Sequence, residues 1–477
     1  MKTHIFLLAI AALLVSSCDL GDVENPNVTE GRFLDSPNAA GVWLNGTRLE
    51  MAQTLSVIVE LTELTSDNYF NNRTLSSKVF DIPEIVNTDL DVERMQIAVH
   101  NLRRAAEFGL NEVLPNDDQS TQEQRAEFTF YLAVSALFSA EYFTGLPAED
   151  LGPILSSGEH LTRAETLFTS VIDLSTNADL VNASRLALAR IAYYRGDISE
   201  TVRLSNIVRF ETTTLNYQVQ YDGESNVDNG FQFFLYDSSQ DEFAPLPRLD
   251  FLDPKYFSVD GSGLDQRPIS LFKIEESYLM LAEAQLAQNE IDNAKNTLSF
   301  MLVEVIANRP VVQVNDVRET RSGGTRADYP LSDTVRVRFE PGGDLVEGLI
   351  LSRQDTTVSI PSVSGTSVTQ TQIAAANTQE SVLELIYLMR QEIFIAEGRR
   401  VIDLGIRYPV AGLEANNNGN IQGTETELMA IIPDFIPLGL AMDDFSVDTL
   451  SGIATMNINM NRLLVQNRES DFILPLW

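Results

Sequence analysis

Apolar residues recur at a helical spacing through most of the chain, with polar residues between them. Over 39–64, for example, apolar side chains fall three or four positions apart, which is the period of an amphipathic helix. Turn-forming residues follow at 66–68, and a capping box of Thr121 and Gln124 opens a later segment. The pattern predicts helices at 39–64, 89–114, 121–143, 161–174, 179–195 and 379–405, and a short helix that begins at Ile198.

Two stretches share a helix–turn–helix theme. In the first, a helix rich in alanine leads to Gly196 and Asp197, and another helix follows. Small side chains let a second helix approach closely, and glycine adopts the turn without steric cost. Residues 271–306 repeat the theme around Asn289 and Glu290. The two units resemble the tetratricopeptide pattern, while two unrelated helical hairpins would account for the same residues.

The remaining segments lack a helical period. Residues 214–221 and 230–236 alternate between apolar and polar side chains, which predicts the two strands of a hairpin. Four prolines and no period predict a long loop over 240–268. Residues 308–378 are rich in Val, Thr and Ser and predict short strands or an ordered insertion, and the chain after 409 is predicted to be loop-rich.

Composition limits the classes of function. Of the 477 residues, 44% are hydrophobic, which is enough for a folded core and argues against full disorder. Asp and Glu number 68 against 33 Lys and Arg, so the formal net charge is -35. Such a surface repels phosphate, which argues against a nucleic acid as partner. The scarcity of lysine indicates either adaptation to a saline habitat or an ordinary acidic secreted protein.

The N-terminus has the pattern of a secretion signal. Lys2 precedes an apolar run at 5–15 that is too short for a permanent membrane span. The following VSSC, which ends at Cys18, resembles a bacterial lipobox, in which the cysteine is diacylated and becomes the new N-terminus. We therefore predict a lipoprotein signal peptide at 1–17 and an acidic tether at 18–36, with an ordinary cleaved signal as the alternative. Because Cys18 is the only cysteine, intrachain disulfides are excluded.

Motifs for enzymatic chemistry are missing from the sequence. Two histidines follow the signal region, His100 and His160, and neither has a second histidine at a metal-ligand spacing. No nucleophile elbow, P-loop or dinucleotide fingerprint occurs. We therefore predict no enzyme, no cofactor and no metal, although the carboxylate pair of a glycoside hydrolase would leave no motif to find.

One acidic loop has oxygen-bearing side chains at every second position, as calcium-binding loops do. These residues are Asp222, Glu224, Asn226 and Asp228. An EF-hand requires glycine at its sixth position and glutamate at its twelfth, where this chain has Val227 and Phe233. A solvated hairpin tip is the favoured interpretation, and an irregular calcium site is the alternative.

Aromatic residues outside the predicted helices are the candidates for ligand contact. Tyr69, Tyr236 and Tyr256 each lie in a predicted loop or at a strand end, where binding residues concentrate. A tyrosine ring offers an apolar face to the C–H groups of a sugar while its hydroxyl remains in water. The alternative is that these rings fill the core of a loop-rich lobe.

Three separated features of the sequence occur together. The first is the lipobox that ends at Cys18. The second is the stretch 272–302, with Glu276, Leu279, Met280, Ala282, Glu283 and Ala284. The third is RQEIFIAEGRRVIDLGIR at 390–407, hereafter the third motif, with Arg390, Glu392, Glu397, Gly398, Arg400, Asp403, Leu404 and Arg407. Together they resemble the SusD/RagB family of outer-membrane lipoproteins of Bacteroidetes-type bacteria, in which the second feature matches a helix pair.

The resemblance implies an all-α fold, with a tetratricopeptide-like helical repeat body, a loop-rich lobe and a few short strands. The implied body covers 37–477, with helix pairs within 39–210 and 271–306, insertions at 211–270 and 308–378, a C-terminal helix at 379–405 and a tail at 406–477. The implied function is capture of a nutrient, usually a glycan, at the outer face of the outer membrane, and its delivery to a TonB-dependent transporter that the helical repeats contact. The alternatives are a lipid-anchored polysaccharide hydrolase and a protein-binding scaffold.

The third motif also has a structural interpretation of its own. On a continuous helix, Arg399 would pair with Asp403 and Glu397 with Arg400, because residues three or four apart face each other. Gly398 costs about 1 kcal/mol relative to alanine inside a helix, which indicates close packing by a neighbouring segment. We expect this element to fasten the last helix to the repeats rather than to catalyse a reaction.

Overall fold

The computed structural model describes residues 30–72, 78–225, 227–237, 242–259, 262–315, 324, 326–353, 357–361, 364–439, 442–473 and 476. The predicted signal peptide and Cys18 lie outside the described residues. Within the described part of the chain, no helix is both long enough and apolar enough to cross a membrane.

Helices dominate the described chain. The longer ones are α1 (Ala39–Thr65), α2 (Leu90–Phe108), α3 (Gln122–Tyr142), α4 (Ser157–Leu174), α5 (Ala178–Tyr194), α6 (Ile198–Glu211), α7 (Ile274–Ala287), α8 (Ile291–Phe300), α9 (Gln379–Ile393) and α10 (Met460–Gln466). Short α-helices lie at Glu30–Leu34, Lys78–Asp81, Leu114–Asn116, Gly230–Gln232, Gln370–Ala375, Arg400–Asp403 and Gly412–Asn417. Turns of π-helix lie at Gly109–Val113, Phe233–Asp237 and Met301–Val305, and 3₁₀ turns at Gly223–Ser225, Pro247–Tyr256, Ile306–Asn308 and Thr426–Leu428.

Successive long helices pack against each other in chain order, from α1 on α2 to α7 on α8. The chain then returns, so that α9 packs on α7 and α10 packs on α9. Because α7 has α6, α8 and α9 as neighbours, every residue from Ile274 to Ala284 is buried. This arrangement is the all-α, tetratricopeptide-like body that the sequence predicted.

The two predicted helix pairs turn through the same backbone motif. Gly196, between α5 and α6, has a φ of 69°, and Asn289, between α7 and α8, has a φ of 64°. After each of them, the next N–H donates to a carbonyl five residues back, at 3.0 and 2.9 Å. A left-handed residue thus reverses the chain while the last carbonyls of the first helix stay hydrogen-bonded. The predicted turn chemistry at both positions is confirmed.

Short strands lie outside the helical array: β1 (Tyr69–Asn71), β2 (Gly145–Pro147), β3 (Ile154–Ser156), β4 (Asn216–Val219), β5 (Phe243–Pro245), β6 (Ile269–Lys273), β7 (Val311–Asn315), β8 (Arg336–Arg338), β9 (Thr357–Pro361), β10 (Phe445–Asp448) and β11 (Ile453–Met456). β11 lies between β10 and β8, antiparallel to the first and parallel to the second. β1 pairs with β5, β2 with β3, β4 with β6 and β7 with β9, all antiparallel. Phe70, Val337 and Phe445, on β1, β8 and β10, belong to a small apolar core that is separate from the helical core. The strands and loops around this small core are the loop-rich lobe.

The predicted hairpin of 214–221 and 230–236 is wrong. The strand within the first segment, β4, pairs with β6 instead, and the second segment is helical. Phe231 and Leu235, four residues apart, are both buried, whereas Phe233 between them is 48% exposed. The apolar residues therefore follow a helical period, which a short segment with few polar positions does not distinguish from a strand.

The predicted long loop at 240–268 is partly ordered into regular structure. It contains β5 and the 3₁₀ helix Pro247–Tyr256. Pro247 lies in the first turn of that helix, where its missing N–H would have no helical partner. A 3₁₀ helix has three residues per turn, so the apolar spacing of this segment does not follow the α-helical period and did not predict a helix.

The third motif interrupts the predicted C-terminal helix at 379–405. α9 ends at Ile393, and the chain reverses at Gly398, whose φ is 75°, before the short helix Arg400–Asp403. A Cβ atom on Gly398 would lie 3.1 Å from the Thr62 hydroxyl. The close packing predicted at this glycine is confirmed, but the continuous helix is wrong.

The predicted short-range salt bridges of the third motif are replaced by long-range ones. The pairs are Arg390 with Asp403 (2.5 Å), Arg399 with Glu141 and Glu276 (3.1 Å each), Arg400 with Asp67 (2.6 Å), and Glu397 with Lys255 (2.6 Å) and Lys273 (2.7 Å). Glu141 lies on α3 and Glu276 on α7, while Asp67 follows α1. Burial tends to raise the pKa of Asp67, but the charges of Arg400 and Arg248 outweigh it and lower that pKa. The motif therefore fastens the C-terminal part of the chain to the helical array.

Candidate ligand-binding groove

The burial of two predicted ligand-contact tyrosines contradicts their assignment. Tyr69 and Tyr256 are each 1% exposed, and the ring of Phe231 packs against both, at centroid distances of 5.0 and 6.5 Å. The Tyr256 hydroxyl donates to the carbonyl of Ala396 at 2.7 Å. Neither ring has a face available for a sugar, so the core interpretation applies to them. The side chain of Tyr236 lies outside the described residues, and its role stays a prediction.

The acidic loop has the geometry of a turn. The Asp222 carboxylate accepts hydrogen bonds from the Glu224 backbone N–H at 3.0 Å and the Ser225 hydroxyl at 2.5 Å, while Asn226 lies outside the described residues. Over the described residues, no group of three or more His, Cys, Asp or Glu side chains is placed to hold a metal ion.

Both histidines of the body are packed against the protein interior. Burial lowers the pKa of His100 to about 4. Burial also lowers the pKa of His160, whose Nε2 lies 2.8 Å from the carbonyl oxygen of Leu146. Both imidazoles are therefore neutral at pH 7, and each serves the packing of its helix.

A groove of about 450 Å³ lies where the loop-rich lobe meets α9 and α10. Ser381, Glu384, Leu385 and Leu388 of α9 line it. Their spacing of three or four residues places them on one face of the helix. Leu388 is buried and Leu385 half-buried, so the helix supplies an apolar floor with polar groups beside it.

A tight turn forms the opposite wall of the groove. In the sequence Glu340-Pro341-Gly342-Gly343, proline precedes a glycine with a φ of 77°, and the Gly343 N–H donates to the Glu340 carbonyl at 3.1 Å. This is the chemistry of a type II turn, in which proline fixes one φ and glycine supplies the positive one. Val337 and Val346 close the turn with two backbone hydrogen bonds of 2.8 and 2.9 Å.

The turn brings Phe339 to the groove wall, where its side chain is half-buried. The polar rim consists of Glu340, Glu384 and Arg462, whose guanidinium bridges the two carboxylates and lies 3.2 Å from Glu384. The Asn459 amide donates to Glu384 at 3.0 Å. An apolar ring beside fixed carboxylate and amide groups suits a ligand with both C–H faces and hydroxyls.

Two other cavities fit such a ligand less well. One, of about 170 Å³, lies between the 3₁₀ helix and β9 and is smaller than the roughly 300–1,000 Å³ typical of ligand sites. The other, of about 590 Å³, lies beside β4, and none of the described residues that line it has an aromatic ring. Its guanidinium, Arg309, is already paired with the buried Glu275 at 2.6 Å.

No local pattern in the sequence predicts the groove. Its walls come from residues 339–346, from α9 and from the start of α10, which are far apart in the chain. The local signal that was available is the Pro341-Gly342 turn, which predicts that the residues flanking it are presented together. Their juxtaposition with Glu384 and Arg462 depends on the packing of α10 on α9.

No protein-family model matches the chain, and no curated protein matches it. Among solved structures, a SusD superfamily protein from Bacteroides vulgatus is 11% identical with a TM-score of 0.51, and the alignment covers 76% of this chain and 87% of that one. A SusD superfamily protein from Bacteroides fragilis is 14% identical with a TM-score of 0.49, covering 81% and 99%. A SusD-like carbohydrate binding protein from Bacteroides vulgatus is 12% identical with a TM-score of 0.48, covering 76% and 82%. The first of these shows that the chain shares the fold of that SusD superfamily protein, in agreement with the resemblance noted in the sequence.

Proposed function

We propose that the protein is a lipid-anchored receptor on the outside of the outer membrane, which captures a glycan and delivers it to a TonB-dependent transporter. The SusD-superfamily fold carries this proposal, since the alignment extends over 87% of a solved SusD superfamily protein. The lipobox that ends at Cys18 supports the anchor. By the same resemblance, the helix pair α7–α8 belongs to the side that contacts the transporter.

The groove beside α9 supports the choice of a glycan as the ligand. A sugar ring has an apolar face of C–H groups and an edge of hydroxyls. The half-buried ring of Phe339 suits the apolar face, and the carboxylate of Glu384 and the amide of Asn459 suit the hydroxyls. The Arg462 guanidinium holds Glu384 in place at 3.2 Å, which reduces the entropy lost when a ligand binds.

Affinity electrophoresis against a panel of polysaccharides tests the proposal. We expect the protein to be retarded by at least one polysaccharide without releasing reducing ends. Phe339→Leu keeps most of the apolar volume but removes the ring, and should weaken binding about tenfold. The matched control is Phe210→Ala on α6, where the native side chain is 88% exposed and distant in sequence from the groove residues.

Each other outcome of this experiment contradicts part of the proposal. Release of reducing ends would identify a hydrolase, and the absence of retardation by any polysaccharide would leave the protein-binding scaffold. If Phe210→Ala weakens binding as much as Phe339→Leu does, the groove is not the glycan site. Urea denaturation of both variants identifies any loss of binding that follows from unfolding.

A further inference from the structure

We propose that the groove beside α9 accepts a saccharide segment that carries no anionic group, and excludes uronate or sulfated segments. This inference rests on the proposed capture of a glycan and specifies its chemical class. The observation that carries it is the distribution of charge around the Phe339 ring. Among the described residues that line the groove there are three carboxylates, Glu340, Asp344 and Glu384, against a single guanidinium, Arg462, and no lysine.

Arg462, the cation among the described lining residues, is not available to an anionic ligand. The Arg462 guanidinium is 46% exposed, yet it already bridges Glu340 and Glu384, so binding a uronate would require it to leave one of them. Asp344 is exposed at the same wall, which leaves the groove with an excess of negative charge at neutral pH. Like charges a few ångströms apart repel each other even in water, so an anionic group beside the Phe339 ring would bind less tightly.

The hydrogen-bonding chemistry favours neutral sugars for a second reason. An ionised carboxylate is only an acceptor, and a neutral sugar presents hydroxyl donors to it. Charge-assisted hydrogen bonds of this kind are roughly twice as strong as neutral ones. In a uronate, a carboxylate takes the place of the C6 hydroxymethyl group. Glu384 would therefore lose a hydrogen-bond donor and meet a charge of its own sign.

The size and floor of the groove are consistent with a short sugar segment. Its volume of about 450 Å³ falls within the range of about 300–1,000 Å³ for small-ligand sites. Phe339, Leu385 and Leu388 are the larger apolar side chains that line it, and apolar side chains suit the C–H face of a ring. The net charge of -35 on the whole chain adds a repulsion of longer range, and salt screens that part first.

The experiment compares each neutral polymer with its own C6-oxidised derivative. Amylose, laminarin, mannan and galactan are each oxidised at C6 to the uronate, and the binding of the intact mature protein to both forms is measured at low and high salt. For the polymer that binds, we expect the affinity for the neutral form to be at least tenfold higher than the affinity for the oxidised form at low salt. The ratio of the two affinities should be smaller at high salt. Equal or tighter binding of the oxidised form at low salt overturns the inference and leaves glycan capture intact. If neither form of any polymer binds, glycan capture itself fails, and the inference fails with it.

A charge variant assigns the exclusion to the groove. Asp344→Lys should raise the affinity for the oxidised polymer about fivefold at low salt, because two units of charge change beside the ligand. Asp118→Lys makes the same change at an exposed position in the turn before α3 and should leave that affinity within twofold. An equal rise in both variants would place the repulsion in the overall charge of the protein and overturn the assignment to the groove.

Discussion

The buried ion pair of Arg390 with Asp403 offers a direct test of how the third motif stabilises the fold. Each side chain is 1% exposed. The Asp403 carboxylate accepts hydrogen bonds from Arg390 at 2.5, 3.1 and 3.1 Å, and among the described residues it has no other donor. Arg390→Leu would therefore leave Asp403 in the interior without a partner, which costs about 3–5 kcal/mol in typical proteins.

The chemistry of the remaining carboxyl sets a limit on this cost. An aspartic acid with the ordinary pKa of about 3.9 can be neutralised at pH 7 for about 4 kcal/mol, and at pH 5 for about 1.5 kcal/mol. Protonation thus relieves the buried charge more cheaply in acid. We expect Arg390→Leu to lower the free energy of unfolding by about 3–5 kcal/mol at pH 7, and by about 2 kcal/mol less at pH 5.

Urea denaturation of a double-mutant cycle measures the effect. The double variant Arg390→Leu with Asp403→Asn carries neither charge, so its loss should be smaller than the sum of the single losses by at least about 1 kcal/mol. Arg203→Leu is the control, because Arg203 pairs with Glu200 on the exposed face of α6 and its loss should cost about 0.5 kcal/mol or less. The reasoning is refuted if Arg390→Leu and Arg203→Leu cost the same, or if the cost of Arg390→Leu does not change with pH.

Two further predictions concern a buried acid and the lipid anchor. Burial raises the pKa of Glu63 to about 7 from the ordinary value of 4.5, so its contribution to stability is complete below pH 4.5 and is lost as the pH rises through 7. Relative to Glu63→Gln, the parent should therefore lose stability in urea between pH 5 and pH 8, and a constant difference between the two would contradict this. Cys18→Ala should abolish labelling with radioactive palmitate and move the full-length protein out of the membrane fraction, since acyl chains supply the anchor; a variant that stays membrane-bound would show that Cys18 is not the lipid site.

Elements whose stability depends on neighbours three or four residues away were predictable from the sequence. The spacing of apolar side chains located the starts of α1 to α6 within about four residues, because apolar side chains three or four positions apart fall on the same side of a helix. The capping box of Thr121 and Gln124 is present at the start of α3, and the turns at Gly196 and Asn289 are present between their helices. These features depend only on backbone conformation and adjacent hydrogen bonds, so the local sequence determined them.

Only the tertiary structure decided the partners of the buried charges and the exposure of the aromatic rings. Arg399 and Arg400 reach Glu141 and Asp67, more than 250 residues away in the chain, because Gly398 reverses the backbone and turns both side chains towards the helical array. Tyr69 is buried, and its ring packs edge-on against the ring of Phe231, which comes from a distant part of the chain. Charge pairing and burial are set by which distant segments meet, and a one-dimensional pattern carries no distance between them. For the same reason the groove at Phe339 exists only once α9, α10 and the Pro341-Gly342 turn are packed together.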